Sequence, residues 1–263
     1  MSKVVLHSGA VEMFVEEQGS GPALLLLNGL SQTTANWRTQ ARALSSRFRV
    51  VSYDARGQGR TPLGSRPVGL EEQLEDIAEL LDALGIERAH LCGFSHGARV
   101  ALAFAAAYPE RVDRLVLTSI GTNDGPLRRL IVRSWREVLR QGGVEAMAWC
   151  TLPSILGTEF VRVYGDQVEA MVRATVQRNS ESGLGALLEA LAGYPDPRVE
   201  AGRVLAPTLL VTSDEDLLVP VDDARALAAA FPEVHHVLVC GCGHTIPIEM
   251  PEAWRRHVLA HLL

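Results

Sequence analysis

The chain has 263 residues, of which 47% are hydrophobic and 21% are charged, and its formal net charge is −6. This length suits one large α/β domain, with or without an insertion. The acidic balance and the lack of a basic run argue against nucleic-acid binding, and no stretch reaches the roughly 18 apolar residues of a membrane span. The first ten residues have no apolar run of the signal-peptide type, so we expect a cytoplasmic protein.

Short apolar runs alternate with amphipathic segments along the chain. The expected strands are residues 11–15, 23–27, 50–53, 89–93, 115–118, 208–212 and 237–240. The expected helices are residues 70–84, 98–108, 222–230 and 251–262. Alternating strands and helices predict an α/β fold, with a mostly parallel sheet flanked by helices on both faces.

One segment interrupts this alternation. Between about residue 122 and residue 202 the patterns are helical, most clearly in 127–140 and 160–179. Pro195 and Pro197 mark the return to the sheet pattern. We therefore expect a core domain made of residues 1–121 and 203–263, with residues 122–202 inserted as a helical lid.

The stretch Gly93-Phe94-Ser95-His96-Gly97 lies where a strand ends and a helix begins. In such a turn the chain reverses within about two residues, which forces a strained backbone at the serine and leaves little room for neighbouring side chains. The glycines and Ala98 provide that room. A serine hydroxyl needs an adjacent base to become a nucleophile, and this context makes Ser95 the candidate.

His244 follows the last predicted strand in a glycine-rich loop, which makes it the candidate base. The candidate acid should follow the preceding strand, where Asp214, Glu215 and Asp216 compete. Only one carboxylate can face the imidazole and hold it in one tautomer. The chain order Ser95, Asp216, His244 agrees with the order serine, acid, histidine, and Asp124 is the fallback acid.

These stretches resemble the α/β-hydrolase fold superfamily over nearly the whole chain. The resemblance rests on Asn28-Gly29-Leu30, on Asp54 to Gly59, on Gly93 to Gly97, on Asp216 to Pro220 and on Gly243-His244. In similar proteins the acid stands three residues after a glycine and four before a proline. Ser213 replaces that glycine here, and Asp216 has both spacings.

The same resemblance implies an oxyanion hole formed by the backbone N–H groups of Leu30 and His96. The pair Asn28-Gly29 resembles the 3-oxoadipate enol-lactonase and esterase branch. We therefore expect a hydrolase of a small carboxylic ester or lactone that needs neither cofactor nor metal. Two alternatives stay open: a carbon–carbon hydrolase or thioester acyltransferase with the same three residues, and a ligand-binding or signalling relative with little turnover.

The expected pocket residues are apolar, because a lid presents apolar surface to the cleft. They are Trp37, Trp149, Leu152 and Leu218. Four arginines at positions 129, 133, 136 and 140 share one face of a predicted helix. Amphipathicity places that face in solvent and predicts a mainly apolar pocket, whereas the opposite orientation would let these arginines bind a carboxylate.

Overall fold

The computed structural model describes residues 2–6, 11–122 and 125–263. Its centre is an eight-stranded sheet with the strand order β1-β2-β4-β3-β5-β6-β7-β8. The strands are β1 (Ser2–Leu6), β2 (Val11–Gln18), β3 (Ala23–Leu27), β4 (Arg49–Tyr53), β5 (Ala89–Phe94), β6 (Val112–Thr118), β7 (Thr208–Ser213) and β8 (His235–Val239). The pairs β1–β2 and β2–β4 are antiparallel and the remaining pairs are parallel, which confirms the predicted fold class.

Helices flank this sheet. They are α1 (Thr34–Leu44), α2 (Leu70–Ala83), α3 (His96–Ala107), α4 (Pro126–Ile155), α5 (Thr158–Tyr164), α6 (Val168–Arg178), α7 (Glu181–Leu191), α8 (Pro197–Ala201), α9 (Val221–Ala228), α10 (Ile246–Glu249) and α11 (Pro251–Leu262). Within the described ranges, no helix combines the length and apolarity needed to cross a membrane.

Both faces of the sheet are buried, which explains the continuous apolar runs. In β3, Leu25 and Leu27 belong to one core cluster, while Leu24 and Leu26 belong to another on the opposite face. Successive side chains of a strand point to opposite faces, so a strand covered on both sides is apolar at every position.

Strand β1 and helix α1 are among the elements that the sequence analysis did not predict. Strand β1 is a short edge strand that pairs only with β2 among the described strands. Helix α1 buries Trp37, Ala41 and Leu44 between polar residues, so its apolar stripe is too narrow to stand out in the sequence. Its start is fixed by a capping box between Thr33 and Asn36, which satisfies N–H groups that have no partner within the helix.

Helices α4 to α8 all lie between β6 and β7, so the predicted helical insertion is present. Its helices enclose a core of their own, which includes Trp135, Leu139 and Leu184 and extends to Leu218 of the main fold. Gly143 has a non-helical backbone and divides α4 into two arms. The domain boundaries at residues 121 and 203 stay a prediction.

Candidate active site

Ser95 lies in a sharp turn between β5 and α3. Its backbone has φ 52° and ψ −114°, a conformation that L-residues rarely adopt and that costs on the order of 1–3 kcal/mol. A Cβ added to Gly93 would lie 2.5 Å from the Cα of Ala98, and one added to Gly97 would lie 2.3 Å from the carbonyl oxygen of Leu27. The expected strain and the need for small neighbours are confirmed.

A chain of hydrogen bonds joins the three predicted residues. His244 Nε2 lies 2.8 Å from Ser95 Oγ, and His244 Nδ1 lies 2.7 Å from Asp216 Oδ2. The other carboxylate oxygen, Asp216 Oδ1, accepts the backbone N–H groups of Leu218 and Val219 at 2.8 and 3.0 Å. Asp216 and His244 are both buried, so solvent does not compete for these bonds.

The three competing carboxylates have different surroundings. Asp214 is exposed and accepts the N–H of Gly241 at 2.7 Å. Glu215 accepts the N–H of Thr158 at 2.7 Å. Among these three, Asp216 is the one that contacts the imidazole, and Asp124 lies outside the described residues.

Glu249 holds the histidine loop in place, a role that the sequence analysis did not assign. Its Oε2 accepts the N–H groups of Gly157 and Gly243 at 2.9 and 3.0 Å. Its Oε1 accepts the N–H of Thr245 at 3.1 Å and the hydroxyl of the same residue at 2.7 Å. The sequence places Glu249 five residues after His244, but only the folded chain brings Gly157 to it.

The helical insertion and the histidine loop touch at backbone level. A Cβ on Gly157 would lie 2.6 Å from the nitrogen of Gly243, and one on Gly243 would lie 2.4 Å from the nitrogen of Gly157. Next to this contact, the N–H of His244 donates to the carbonyl of Ile155 at 2.9 Å. The position of His244 therefore depends on the C-terminal end of α4.

Two backbone N–H groups beside Ser95, those of Leu30 and His96, are the donors predicted for an oxyanion. Neither Leu30 N–H nor His96 N–H donates to an acceptor in the described ranges. His96 is the first residue of α3, where N–H groups have no partner within the helix. The loop that carries Leu30 is held by Gln58, whose Nε2 donates to the carbonyls of Gly29 and Gln32 at 2.9 and 3.2 Å.

Two cavities border Ser95. The larger one, of about 210 Å³, is mostly apolar, and the smaller one has about 60 Å³. Both are lined by Leu30, Ser95, Trp135, Leu218 and His244. Leu152 also lines the larger cavity, so Leu152 and Leu218 lie where the pocket prediction expected them.

The two tryptophans proposed for the pocket lie elsewhere. Trp37 packs in the core with its ring centroid 5.7 Å from that of Trp254, and it borders only a minor depression beside the larger cavity. Trp149 is 42% exposed and does not line the larger cavity. Met147 does line it, and a helical residue two positions later points about 200° away. Trp135 supplies the tryptophan of the pocket instead.

The four arginines of the shared helix face are exposed. Arg136 pairs with Glu189 and Arg140 with Glu137 at the surface. The amphipathic interpretation therefore holds for this face, and these arginines do not line either cavity beside Ser95.

The His96 side chain is buried next to two arginines. Its Nε2 lies 3.1 Å from the hydroxyl of Tyr194. Burial, and to a smaller extent the charges of Arg99 and Arg128, lowers the pKa of His96 to about 4. The imidazole is therefore neutral at pH 7.

This lowered pKa predicts an acid-sensitive fold. The unfolded chain takes up the His96 proton near the ordinary pKa of 6.5, whereas the folded chain resists it down to about 4. The contribution of His96 to the free energy of unfolding is therefore fully present above pH 6.5. It decreases by about 3 kcal/mol as the pH falls from 6.5 to 4. We expect the free energy of unfolding, measured in urea at pH 7.5 and at pH 4, to decrease less in His96→Gln than in the wild type. A His235→Gln control at an exposed site should match the wild type, and equal losses in all three proteins would contradict the prediction.

Comparison with known proteins shows which family and which solved structures the chain is similar to. The sequence profile of the alpha/beta hydrolase fold matches residues 22–251. The chain is 28% identical over 278 positions to a protein of Caulobacter sp. (strain K31) named "Putative carbamate hydrolase RutD", with 98% of each chain covered. The crystal structure of an α/β hydrolase enzyme, MGS-M2, from a Medee basin deep-sea metagenome library superposes with a TM-score of 0.91 at 26% identity, covering 99% of this chain and 97% of that one. The enol-lactonase from Burkholderia xenovorans LB400 superposes with a TM-score of 0.88 at 26% identity, covering 99% of each.

Proposed function

Because the chain belongs to the α/β-hydrolase fold family, we propose that it is a serine hydrolase that cleaves a carboxylic ester or lactone. The observation that carries this proposal is the hydrogen-bonded chain from Asp216 through His244 to Ser95, with distances of 2.7 and 2.8 Å. A nucleophile within reach of a base, which is itself oriented by an acid, is the arrangement that covalent catalysis requires.

In the first half of the reaction, Ser95 Oγ attacks the substrate carbonyl while His244 Nε2 takes its proton. Asp216 accepts the Nδ1–H of His244, keeps Nε2 free to act as the base, and stabilises the imidazolium. The N–H groups of Leu30 and His96 stabilise the oxyanion, and loss of one such donor costs roughly 3–4 kcal/mol in well-studied hydrolases. His244 then protonates the leaving alcohol.

In the second half, water attacks the acyl-Ser95 ester. His244 takes a proton from that water, and a second tetrahedral intermediate uses the same two N–H donors. Collapse returns the proton to Ser95 Oγ and releases the carboxylic acid. Every proton transfer in the cycle is carried by His244, so no cofactor enters the scheme.

The larger cavity beside Ser95 indicates that the substrate is small. A mostly apolar cavity of about 210 Å³ suits a small ester or lactone, and such pockets bind by shape with a few polar groups to orient the ligand. The similarity to the enol-lactonase favours the same class. We further propose that residues 122–202 form a lid over Ser95, which is supported by the cavity walls that α4 and α6 contribute.

Labelling and turnover test the proposal together. A fluorophosphonate probe should label the wild-type protein at one serine, and short-chain esters and small lactones should be hydrolysed with saturable kinetics. Labelling without turnover on any member of a panel of esters, lactones and thioesters would favour a ligand-binding role. Absence of labelling would reject the serine mechanism.

A carbamate hydrolase is the second candidate, and the name of the Caulobacter relative favours it. The same residues would attack a carbamate carbonyl, which is less electrophilic than that of an ester. The discriminating measurement is kcat/KM for a methyl ester and for the matching methyl carbamate. A higher kcat/KM for the carbamate would replace the ester proposal, because intrinsic reactivity alone favours the ester.

A further inference from the structure

The smaller cavity beside Ser95 is lined by a buried arginine whose hydrogen bonding is incomplete. Arg99 is 4% exposed, and its Nη2 donates to Glu200 Oε1 at 2.8 Å and to the carbonyl of Pro195 at 3.1 Å. Its Nε and Nη1 are buried without a partner in the described ranges. Leaving such charged donors unsatisfied is costly, so the positive charge of Arg99 is incompletely compensated next to this cavity.

A second arginine lines the same cavity. Arg128 lies in the first turn of α4 and is partly buried. Its guanidinium makes no hydrogen bond or ion pair with the residues that the structure describes. Burial and the charge of Arg99 lower the pKa of Arg128, and the charge of Asp223 raises it by a smaller amount. Two cations that destabilise each other would both be stabilised by an anion bound between them.

His96 adds a neutral donor to this wall. The hydroxyl of Tyr194 accepts from Gln73 Nε2 at 2.6 Å, which leaves its own proton for His96 Nε2. The remaining ring nitrogen, Nδ1, therefore carries the imidazole N–H. We call His96, Arg99 and Arg128 the arginine subsite. They bring positive charge and hydrogen-bond donors to the smaller cavity beside Ser95, while the larger cavity is mostly apolar.

We propose that the arginine subsite binds a carboxylate of the substrate, so that the protein hydrolyses esters or lactones that carry a free carboxylate near the scissile carbonyl. This inference rests on the proposed function. The cavity of about 60 Å³ is large enough for a carboxylate but not for a long chain, so the rest of the substrate occupies the larger cavity. Arginine binds carboxylates through paired N–H bonds, which would also orient the carbonyl toward Ser95.

Charge balance supports a local site of this kind. The net charge of −6 repels an anionic substrate at long range, and this repulsion is screened over about 10 Å at ordinary ionic strength. Inside the cavity, the guanidinium of Arg128, which has no partner among the described residues, acts over direct contact distances, where screening is weak. Selectivity for an anion is thus determined by the cavity wall and not by the surface charge.

A binding experiment tests the subsite without any turnover. Ser95→Ala protein is titrated with monomethyl glutarate and with methyl 5-methylhexanoate, which replaces the carboxylate by an isopropyl group of similar shape, and affinity is measured by ligand-observed NMR. We expect the anion to bind about 10- to 100-fold more tightly, as for hydrogen bonds to charged groups. When Arg128→Met is added to the Ser95→Ala protein, most of this preference should disappear. Arg133→Met, the same change at an exposed position of α4, should preserve the preference in the same background.

Steady-state kinetics of the proteins with Ser95 intact provide the second measurement. Arg128→Met should lower the ratio of kcat/KM for monomethyl glutarate to kcat/KM for the neutral ester by about tenfold or more. Arg99→Lys keeps a charge for Glu200 but loses the planar fork, so it should also reduce the anion preference. Equal affinity for the two ligands, or equal losses in Arg128→Met and Arg133→Met, would overturn the subsite. Turnover of neutral esters without anion preference would reject the subsite alone, and anion binding without labelling or turnover would reject the proposed function alone.

Discussion

Replacing Ser95 with alanine is expected to abolish fluorophosphonate labelling and to lower kcat by on the order of 10⁶. The hydroxyl is the only part removed, and it is the atom that His244 Nε2 contacts at 2.8 Å. The fold should persist, because alanine has the same Cβ as serine at the strained φ of 52°. Circular dichroism and the melting temperature provide the check on folding.

Ser154→Ala is the matched control for this prediction. Ser154 lies in α4 and its hydroxyl donates only to the carbonyl of Thr151 among the described residues. The control should keep wild-type labelling and turnover. Residual hydrolysis by Ser95→Ala above about one thousandth of the wild-type rate would reject Ser95 as the nucleophile, since loss of a nucleophile leaves only the residual catalysis of the oxyanion hole and binding.

Asp216→Asn is expected to lower kcat by on the order of 10⁴. Asparagine can keep the N–H bonds from Leu218 and Val219 through its amide oxygen. Its NH₂ group would then face His244 Nδ1 and favour the tautomer with the proton on Nε2, which cannot accept the Ser95 proton. The loss should appear in kcat at unchanged melting temperature, which separates it from unfolding.

Asp214→Asn is the control for the acid. Asp214 is exposed and accepts one backbone N–H, that of Gly241, which an amide oxygen can replace. We expect less than about a threefold change in kcat, as for most surface substitutions. A large loss in Asp214→Asn with a small one in Asp216→Asn would contradict the assignment. Small losses in both would direct attention to Asp124.

The meeting of the three residues of the proposed triad was predictable because each follows a strand. In a parallel sheet the carboxyl ends of the strands meet along one edge, so residues that follow separate strands come together. Ser95 follows β5, Asp216 follows β7 and His244 follows β8. Local patterns locate the ends of strands, and the topology then determines which residues meet.

Leu152 and Leu218 line the larger cavity as expected, but other parts of the cavity walls were not predictable in this way. Trp149 was expected in the cleft because it is apolar, but composition does not determine which side of a helix faces Ser95. In the second arm of α4, after Gly143, Met147 and Leu152 line the larger cavity and Trp149 does not. Arg99 and Arg128 come together from α3 and α4, which are separated by a strand and a turn. No local pattern records that meeting, because it depends on how the insertion docks on the sheet.

The contact between Gly157 and Gly243 has a consequence for protein engineering. Exchange of the helical insertion with that of a relative is an attractive way to change substrate range. Any chimera must keep a residue without a side chain at position 157, because a Cβ there would lie 2.6 Å from the nitrogen of Gly243. Grafts that end before Ile155 retain this contact together with the bond from His244 N–H to the Ile155 carbonyl, whereas grafts that extend beyond it must recreate both.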